Sequence, residues 1–324
     1  MLNINLLVRL LREASAQLCL AALLVVMSGC QKSAPPLVRT NNGSSDIRSE
    51  TVGSDIVFTR LDDEQSTFDI FMVNGSTGRV SRLTSDGVSA MPAWSPDHTH
   101  IAFIHAHEKG TRVCVMKADG THMREYESTD HAVGLSDWSP DGDYLVYLRR
   151  STSQFSIVRL SLDTGEINTL WRSPEGLRIT SLSRLSWSLN GRRVLFSAIS
   201  EVDGRGLFLL DTTSNSKQVT PVRTTTDKTP WFPQWSPNSE RFVYTDADES
   251  SAVLYVQNVE SGKTTLIRTG CKRALYPVWS HDGTRFLYDG LKAGGTDLYM
   301  VDSDGGSPAK QITHVGDVAG NADW

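Results

Sequence analysis

The chain has 324 residues, of which 39% are hydrophobic, and a formal charge of -5 from 32 Lys plus Arg against 37 Asp plus Glu. This is ordinary composition for a folded protein with a large core. It excludes a strongly basic nucleic-acid binder, and no basic stripe with interleaved aromatics is present.

The N-terminus differs from the rest. Arg9 and Arg12 precede the apolar run LCLAALLVVM, which leads into SGC ending at Cys30. A positive region, an apolar region and small residues, in that order, describe a secretory signal. The apolar run is short for a membrane span. VVMSGC resembles the lipobox of bacterial lipoproteins, with Met27 where leucine is usual and Glu13 within the basic region. The resemblance implies cleavage before Cys30 and lipid attachment to it. Gln31, in place of Asp, implies retention at the outer membrane, facing the periplasm. Simple secretion, with Cys30 an ordinary residue, is the alternative. Residues 1–29 are therefore expected as a lipoprotein signal peptide. Residues 30–50, polar and without hydrophobic period, are expected as the lipidated cysteine and a flexible tether. Residues 51–324 form the folded body. Within it, Cys114 lies in the apolar run RVCVM and reads as a buried small side chain, and no cysteine spacing requires a disulfide.

Internal repetition dominates the body. AWSPDHTHIAF, DWSPDGDYLVY, SWSLNGRRVLF, QWSPNSERFVY and VWSHDGTRFLY align on Trp94, Trp138, Trp187, Trp235 and Trp279, and Trp324 continues the series. The spacings are 44, 49, 48, 44 and 45 residues. Seven and nine residues after each of the first five tryptophans stand apolar or aromatic pairs, Ile101/Phe103 through Phe286/Tyr288. That period of two predicts a strand. A second strand, a polar turn and a short third strand follow in each unit, and the run into the next tryptophan supplies a fourth. Four short strands per unit fit a propeller blade. A two-sheet sandwich would not explain the period, and no unit has room for a crossover helix.

The stretch before Trp94 contains DIVFTR, TFDIFMVNG and VSRLTSD, the three later strands of a unit. Counting back seven from Ile56 reaches Ser49 and no tryptophan, so this unit lacks its leading strand. VAGNADW at the end of the sequence supplies one. The expected fold is all-β: a six-bladed β-propeller of four-stranded antiparallel blades, closed by the C-terminal strand pairing with the N-terminal blade. The tryptophans are expected as wedges between blades. Asp97, Asp141, Asn190, Asn238 and Asp282 are expected to accept turn N–H groups, with Gly142, Gly191 and Gly283 in the tight position after them.

The repeats resemble the WD40-like PD40 repeats of TolB-type propellers over about residues 54–324. In the Tol–Pal system such a propeller binds peptidoglycan-associated lipoprotein and disordered peptide segments at its channel mouth. The sequence reads as departing from that pattern, with a tether expected where TolB carries an α/β domain, and with a lipobox-like segment. Similar repeats occur in peptidase-associated propellers and oligogalacturonate lyases.

No catalytic motif stands out. GxSxG and HExxH are both missing from the sequence. His105 and His107 would share a strand face, but two ligands are too few for a metal site. Asp302 and Asp304 read as a hairpin turn. No metal, cofactor or catalytic residue is expected, although paired carboxylates could arise on folding. The least repetitive stretches supply the candidate binding face: Trp171, Arg172 and Arg184; Trp231 and Phe232; Lys272, Arg273 and Tyr276. All lead into the first strand of a following blade, where loops gather at one channel end. Aromatic anchors with positive charge suit a peptide, an acidic segment or a glycan. The alternative is that Trp231, Phe232 and Tyr276 merely pack between blades. The expected function is non-enzymatic: an envelope scaffold recognising a peptide or protein partner at the channel face. The alternatives are an envelope enzyme acting on carbohydrate through loop carboxylates, and a structural component of an envelope or secretion complex.

Overall fold

The computed structural model describes residues 54–324 apart from 63–66, 108–109, 127–130, 133–136, 151–153, 180–183, 203, 215–217, 223, 225–228, 249, 293–294 and 315–317. The expected signal peptide, Cys30 and the tether lie outside the described residues. Among the described residues every regular element is a β-strand, and no helix is long and apolar enough to cross a membrane.

The first sheet runs in the order Val318–Asp323, Ile56–Asp62, Thr67–Val73, Val80–Arg82. The sequence's last strand thus pairs antiparallel with its first, through Val57↔Asp323, Thr59↔Gly320 and Arg60↔Val318. This is the expected closure, and it pairs backbone groups that a free edge would leave open. The second sheet runs Ser89–Trp94, His100–His107, Gly110–Lys117, Arg124–Tyr126.

The expectation of six separate four-stranded antiparallel blades is corrected by the hydrogen bonding. Four sheets follow four-strand antiparallel paths, and the remaining strands form one eight-stranded sheet. Only the first two sheets are limited to four strands. In the third, the inner strand is split into His131–Ala132 and Asp137–Trp138, both paired with Tyr144–Arg150. In the fourth, Leu177–Ile179 and Ser186–Trp187 both pair with Arg193–Ser200. The eight-stranded sheet arises because Ala252 is small and fully buried, so the chain at Arg273 can approach it. Ala252 N–H donates to the Lys272 carbonyl at 3.3 Å, and the parallel pair Ala252↔Arg273 joins two four-strand units.

The strand after each tryptophan is covered on both faces. Ile101, Ala102, Phe103 and Ile104 are all fully buried, as are Leu145, Val146 and Leu148. A strand packed between two neighbouring sheets reads as a continuous apolar run. Core clusters accordingly mix sheets: Val57 and Ile70 of the first pack with Trp94, Ile101 and Phe103 of the second. The inner strands, each ending at or beside a repeated tryptophan, pack in a closed series. Ser89–Trp94 touches Asp137–Trp138, which touches Ser186–Trp187. Thr229–Trp235, Arg273–Trp279 and Val318–Asp323 follow, and the last returns to Ser89–Trp94.

The repeated turns are architectural. Asp97 accepts the Thr99 N–H at 3.1 Å and the Ser95 hydroxyl at 2.6 Å. The same pattern recurs at Asp141, Asn190, Asn238 and Asp282. Gly142, Gly191 and Gly283 have φ of 78°, 68° and 69° there. The tryptophans tie neighbouring units together: Trp138 Nε1 donates to the Ala93 carbonyl of the second sheet at 3.0 Å, and Trp279 Nε1 to that of Gln234 in the other half of the eight-stranded sheet at 3.2 Å.

Candidate functional site at the strand hub

Where the inner strands meet, the backbone is distorted in a repeated way. Met91, Phe232, Tyr276 and Asn321, each three residues before a tryptophan, have φ of 61°, 50°, 50° and 62°. The left-handed region costs a non-glycine residue about 1–2 kcal/mol. Register shifts accompany it between Ala90 and Ala93, Trp231 and Gln234, and Leu275 and Val278. Bulges and strained residues re-aim side chains and collect beside functional sites. Neighbouring sheets hold the distortion in place, as where Met91 N–H donates to Thr59 Oγ1 at 2.9 Å.

The distortion separates two kinds of side chain. Met91, Phe232, Leu275 and Tyr276 enter one apolar cluster, with the Phe232 and Tyr276 rings 4.0 Å apart. Against it lies a charged group: Asp137 of the third sheet, Asp289 of the eight-stranded sheet, Asp323 of the first, and Arg184 from the segment before Ser186–Trp187. Arg184 is 6% exposed, and its Nη2 stands 3.9 Å from Asp323 Oδ1. Asp137 accepts the Trp138 N–H at 2.9 Å and the Trp187 N–H at 2.6 Å. Asp323 accepts the Trp94 N–H at 2.7 Å.

Asp289 is different. It is 2% exposed, and neither of its oxygens has a hydrogen-bond partner. Arg184 Nη1 lacks one too. The Asn321 N–H and the Arg184 guanidinium are the groups that face Asp289 and favour its charged form. Gly320 gives it room, since a Cβ there would lie 2.6 Å from Asp289 Oδ2 and 3.1 Å from the Tyr276 ring. Burial disfavours the charged form of all three acids. It pushes the Asp137 carboxyl up to about 6, raises Asp323, and holds Asp289 well above the usual carboxylate range. Arg184 opposes each shift, and its one charge does not cancel them. Three buried carboxyls whose ionisation is disfavoured, Asp289 most of all, and one cation therefore share one buried point. That grouping can transfer a proton or bind a ligand rich in hydroxyls.

Of the residues singled out in the sequence, Arg184, Phe232 and Tyr276 come to the hub, with Trp231 packed at the edge of the apolar cluster. Phe232 and Tyr276 are buried, whereas Trp231 is half-buried beneath the Arg205 guanidinium, 5.6 Å from its ring. Arg273 begins the inner strand Arg273–Trp279, and Lys272 before it is exposed. Trp171 and Arg172 lie elsewhere, on Ile167–Arg172, the strand farthest from the hub in the third sheet. Trp171 packs between sheets, 5.8 Å from Phe196.

Asp137, Asp289 and Asp323 were not singled out by the sequence. Asp137 and Asp323 immediately precede tryptophans, as polar Ser186 and Gln234 also do. Their positions in the repeat were a usable signal. Asp289 follows the aromatic Tyr288 in an apolar strand, which marks it as a buried acid. Away from the hub, His105, Cys114 and Glu125 form a group that could hold a metal ion among the described residues.

The fold has many solved relatives in shape. TolB from Acinetobacter baumannii superposes with a TM-score of 0.72 at 15% identity, covering 86% of this chain and 68% of that one. An oligogalacturonate lyase in complex with manganese gives 0.55 at 16% identity, covering 82% and 76%. The β-propeller domain of the Trilobed protease from Pyrococcus furiosus, described as having an open velcro topology, gives 0.56 at 15% identity, covering 85% and 96%. These identities establish likeness of fold alone. No curated protein matches the chain in sequence. The family model PD40, described as the TolB beta propeller domain, matches residues 49–233, more than half of the 324. The closed packing of inner strands, the terminal pairing and this match together place the chain in the TolB β-propeller family.

Proposed function

We propose that the protein is a bacterial envelope enzyme that acts on a carbohydrate at the strand hub, with Asp289 as the proton-holding carboxyl. The observation that carries this reading is Asp289 itself, a buried carboxyl whose charged form burial disfavours, with neither side-chain oxygen satisfied, beside the unpartnered Arg184 Nη1. A buried polar group left unpaired costs about 1–3 kcal/mol. Sugar hydroxyls both donate and accept, so a carbohydrate can satisfy a carboxyl and a guanidinium together. Trp231 adds a flat face at the edge of the same cluster. Asp137 and Asp323 hold the inner strands through backbone N–H groups and share the charge of Arg184. Neighbouring carboxyls, one of them held further toward its protonated form than another, are the arrangement that general acid–base chemistry on glycosides uses. The likeness in shape to a manganese-bound oligogalacturonate lyase adds support at the level of fold.

The envelope setting rests on the family and on the N-terminal sequence. The lipobox-like VVMSGC supports lipid attachment at Cys30 and an outer-membrane anchor facing the periplasm.

Recognition of a peptide or protein partner without turnover is the second reading. Membership of the TolB β-propeller family supports it, as does the place of Trp231 at the edge of the apolar cluster. One experiment separates the two. The protein is incubated with a panel of neutral, amino-sugar and uronate oligosaccharides, and new reducing ends or unsaturated products are followed. Turnover of one class that Asp289→Asn lowers at least ~100-fold, with saccharide binding retained, supports the enzyme. No turnover of any class, with saturable peptide binding that Asp289→Asn leaves intact, supports the scaffold.

A further inference from the structure

We propose that His105, Cys114 and Glu125 form a site for a zinc-class divalent metal ion, with three protein ligands and one position open to water or a ligand. This site uses none of the hub residues, and it stands or falls independently of the carbohydrate reading.

The strand register builds the site. His105 lies on His100–His107, Cys114 on Gly110–Lys117 and Glu125 on Arg124–Tyr126, three consecutive strands of the second sheet. Cys114 stands directly opposite Phe103 on one side and Glu125 on the other, while His105 stands opposite Arg112. Residues two apart on a strand share a face. His105 is therefore a diagonal neighbour of Cys114, and all three side chains project to one side of the sheet. One ligand atom from each lies within 4.8 Å of the other two.

The roles of individual atoms follow from their neighbours. His105 Nδ1 is buried, has no hydrogen-bond partner, and lies 3.7 Å from Glu125 Oε1. A tetrahedral ion at ordinary zinc–ligand distances holds such atoms about 3.3–3.5 Å apart, so a small closure of the pair would seat it. The other ring nitrogen, Nε2, faces Asp86 Oδ2 at 3.7 Å. A metal-bound imidazole commonly directs its second nitrogen to a carboxylate, which fixes the tautomer and raises its basicity. Arg112 Nη1 donates to Glu125 Oε2 at 2.6 Å, so one oxygen of that carboxylate is anchored while Oε1 faces His105. A thiolate, an imidazole and a carboxylate together suit zinc or cobalt, whereas calcium and magnesium prefer all-oxygen sites. Three protein ligands with an open position distinguish this set from a closed structural zinc site.

The sequence could not show this group, because its members are 9 and 11 positions apart and meet only through two hairpins. His107, the other half of the visible pair, stands opposite Gly110 at the hairpin end and is no part of it.

The test uses the purified full-length protein and Co2+ as the probe, with Zn2+ as competitor. The expected result is one equivalent of Co2+, a sulfur-to-cobalt charge-transfer band in the near ultraviolet, and displacement of Co2+ by Zn2+. Cys114→Ser should abolish the band. His105→Gln and Glu125→Gln should weaken uptake by more than ~100-fold, and Asp86→Asn by about 10–100-fold, at unchanged melting temperature. Cys114 is buried, so its variant could fail to fold. His105 and Glu125 are partly exposed, and their variants decide the question without it. Substoichiometric uptake by the wild type, or uptake by His105→Gln and Glu125→Gln equal to wild type, overturns the site.

Discussion

Asp323 accepts a hydrogen bond from the Trp94 backbone N–H at 2.7 Å, joining residues 229 positions apart. The neighbouring Trp324 is 6% exposed, donates from Nε1 to the Trp279 carbonyl at 2.7 Å, and lies beneath the Arg285 guanidinium. The last two residues of the sequence therefore hold the first sheet to the second on one side and to the eight-stranded sheet on the other. Replacing Trp324 with Ala should cost about 3–5 kcal/mol, the range for emptying a large aromatic site. Asp323→Ala should cost about 1–3 kcal/mol, because it leaves the buried Trp94 N–H unpaired. Removing residues 316–324 should lower the melting temperature more than either. Equilibrium urea unfolding checks all three, and an unchanged midpoint in the deletion would show that the terminal strand does not close the fold.

Two glycines test the hub against the turns. Gly142 has φ 78° with only Pro96 Cδ within 4 Å of a built Cβ, at 3.9 Å. Gly142→Ala should therefore cost about 1 kcal/mol, from backbone strain alone. Gly320 has φ 102°, and its Cβ would strike Asp289 Oδ2 at 2.6 Å. Gly320→Ala adds that clash to the same strain, so it should cost at least about 2 kcal/mol more and disturb ligand binding at the hub. Urea unfolding of both variants, with saccharide or peptide titration of Gly320→Ala, measures the contrast. Equal costs would mean that Asp289 moves freely and that the hub is not tightly built.

The repeated elements were legible because each rests on a local pattern. Trp94, Trp138, Trp187, Trp235 and Trp279 mark inner strands, Ile101/Phe103 and their equivalents mark the strands behind them, and Asp97 and its equivalents mark the turns. The missing leading strand before Ile56 pointed to the pairing with VAGNADW. Hydrogen-bonded sheet boundaries were not legible. The Ala252↔Arg273 junction depends on how closely two units approach, which no period records. The site residues were mixed. Arg184, Phe232 and Tyr276 fell where irregular sequence pointed, but Trp171 and Arg172 fell on an edge strand of the third sheet. Asp289 and the group at Cys114 depend on cross-strand register and on contact between sheets, and neither appears in linear spacing.

The acids predict two separate limbs of pH dependence. Hydrogen bonds from the Ser95 and Ser280 hydroxyls hold Asp97 and Asp282 at about 2, and the Ser139 hydroxyl holds Asp141 below its usual range. A carboxyl whose folded pKa is depressed contributes stability above its unfolded value near 4, and that contribution is lost as pH falls towards 2. These turns are largely exposed, so solvent screening keeps this limb shallow. The hub has the opposite sign. Burial raises Asp137 to about 6, so the folded protein holds that proton more tightly than the unfolded chain does. Its contribution is fully present below about 4 and is lost as pH rises through about 6. Asp323 and Asp289 are raised as well and act in the same direction. Stability should therefore be highest near pH 4 and fall as pH rises from there through about 6 and beyond, where Asp289 continues the trend. Urea midpoints measured from pH 3 to pH 8 should trace that shape. Asp137→Asn should flatten the alkaline limb and leave the acid limb unchanged, whereas Asp97→Asn should do the reverse. An alkaline limb of wild-type slope in Asp137→Asn would remove Asp137 from the titrating group and leave the other two acids to account for it.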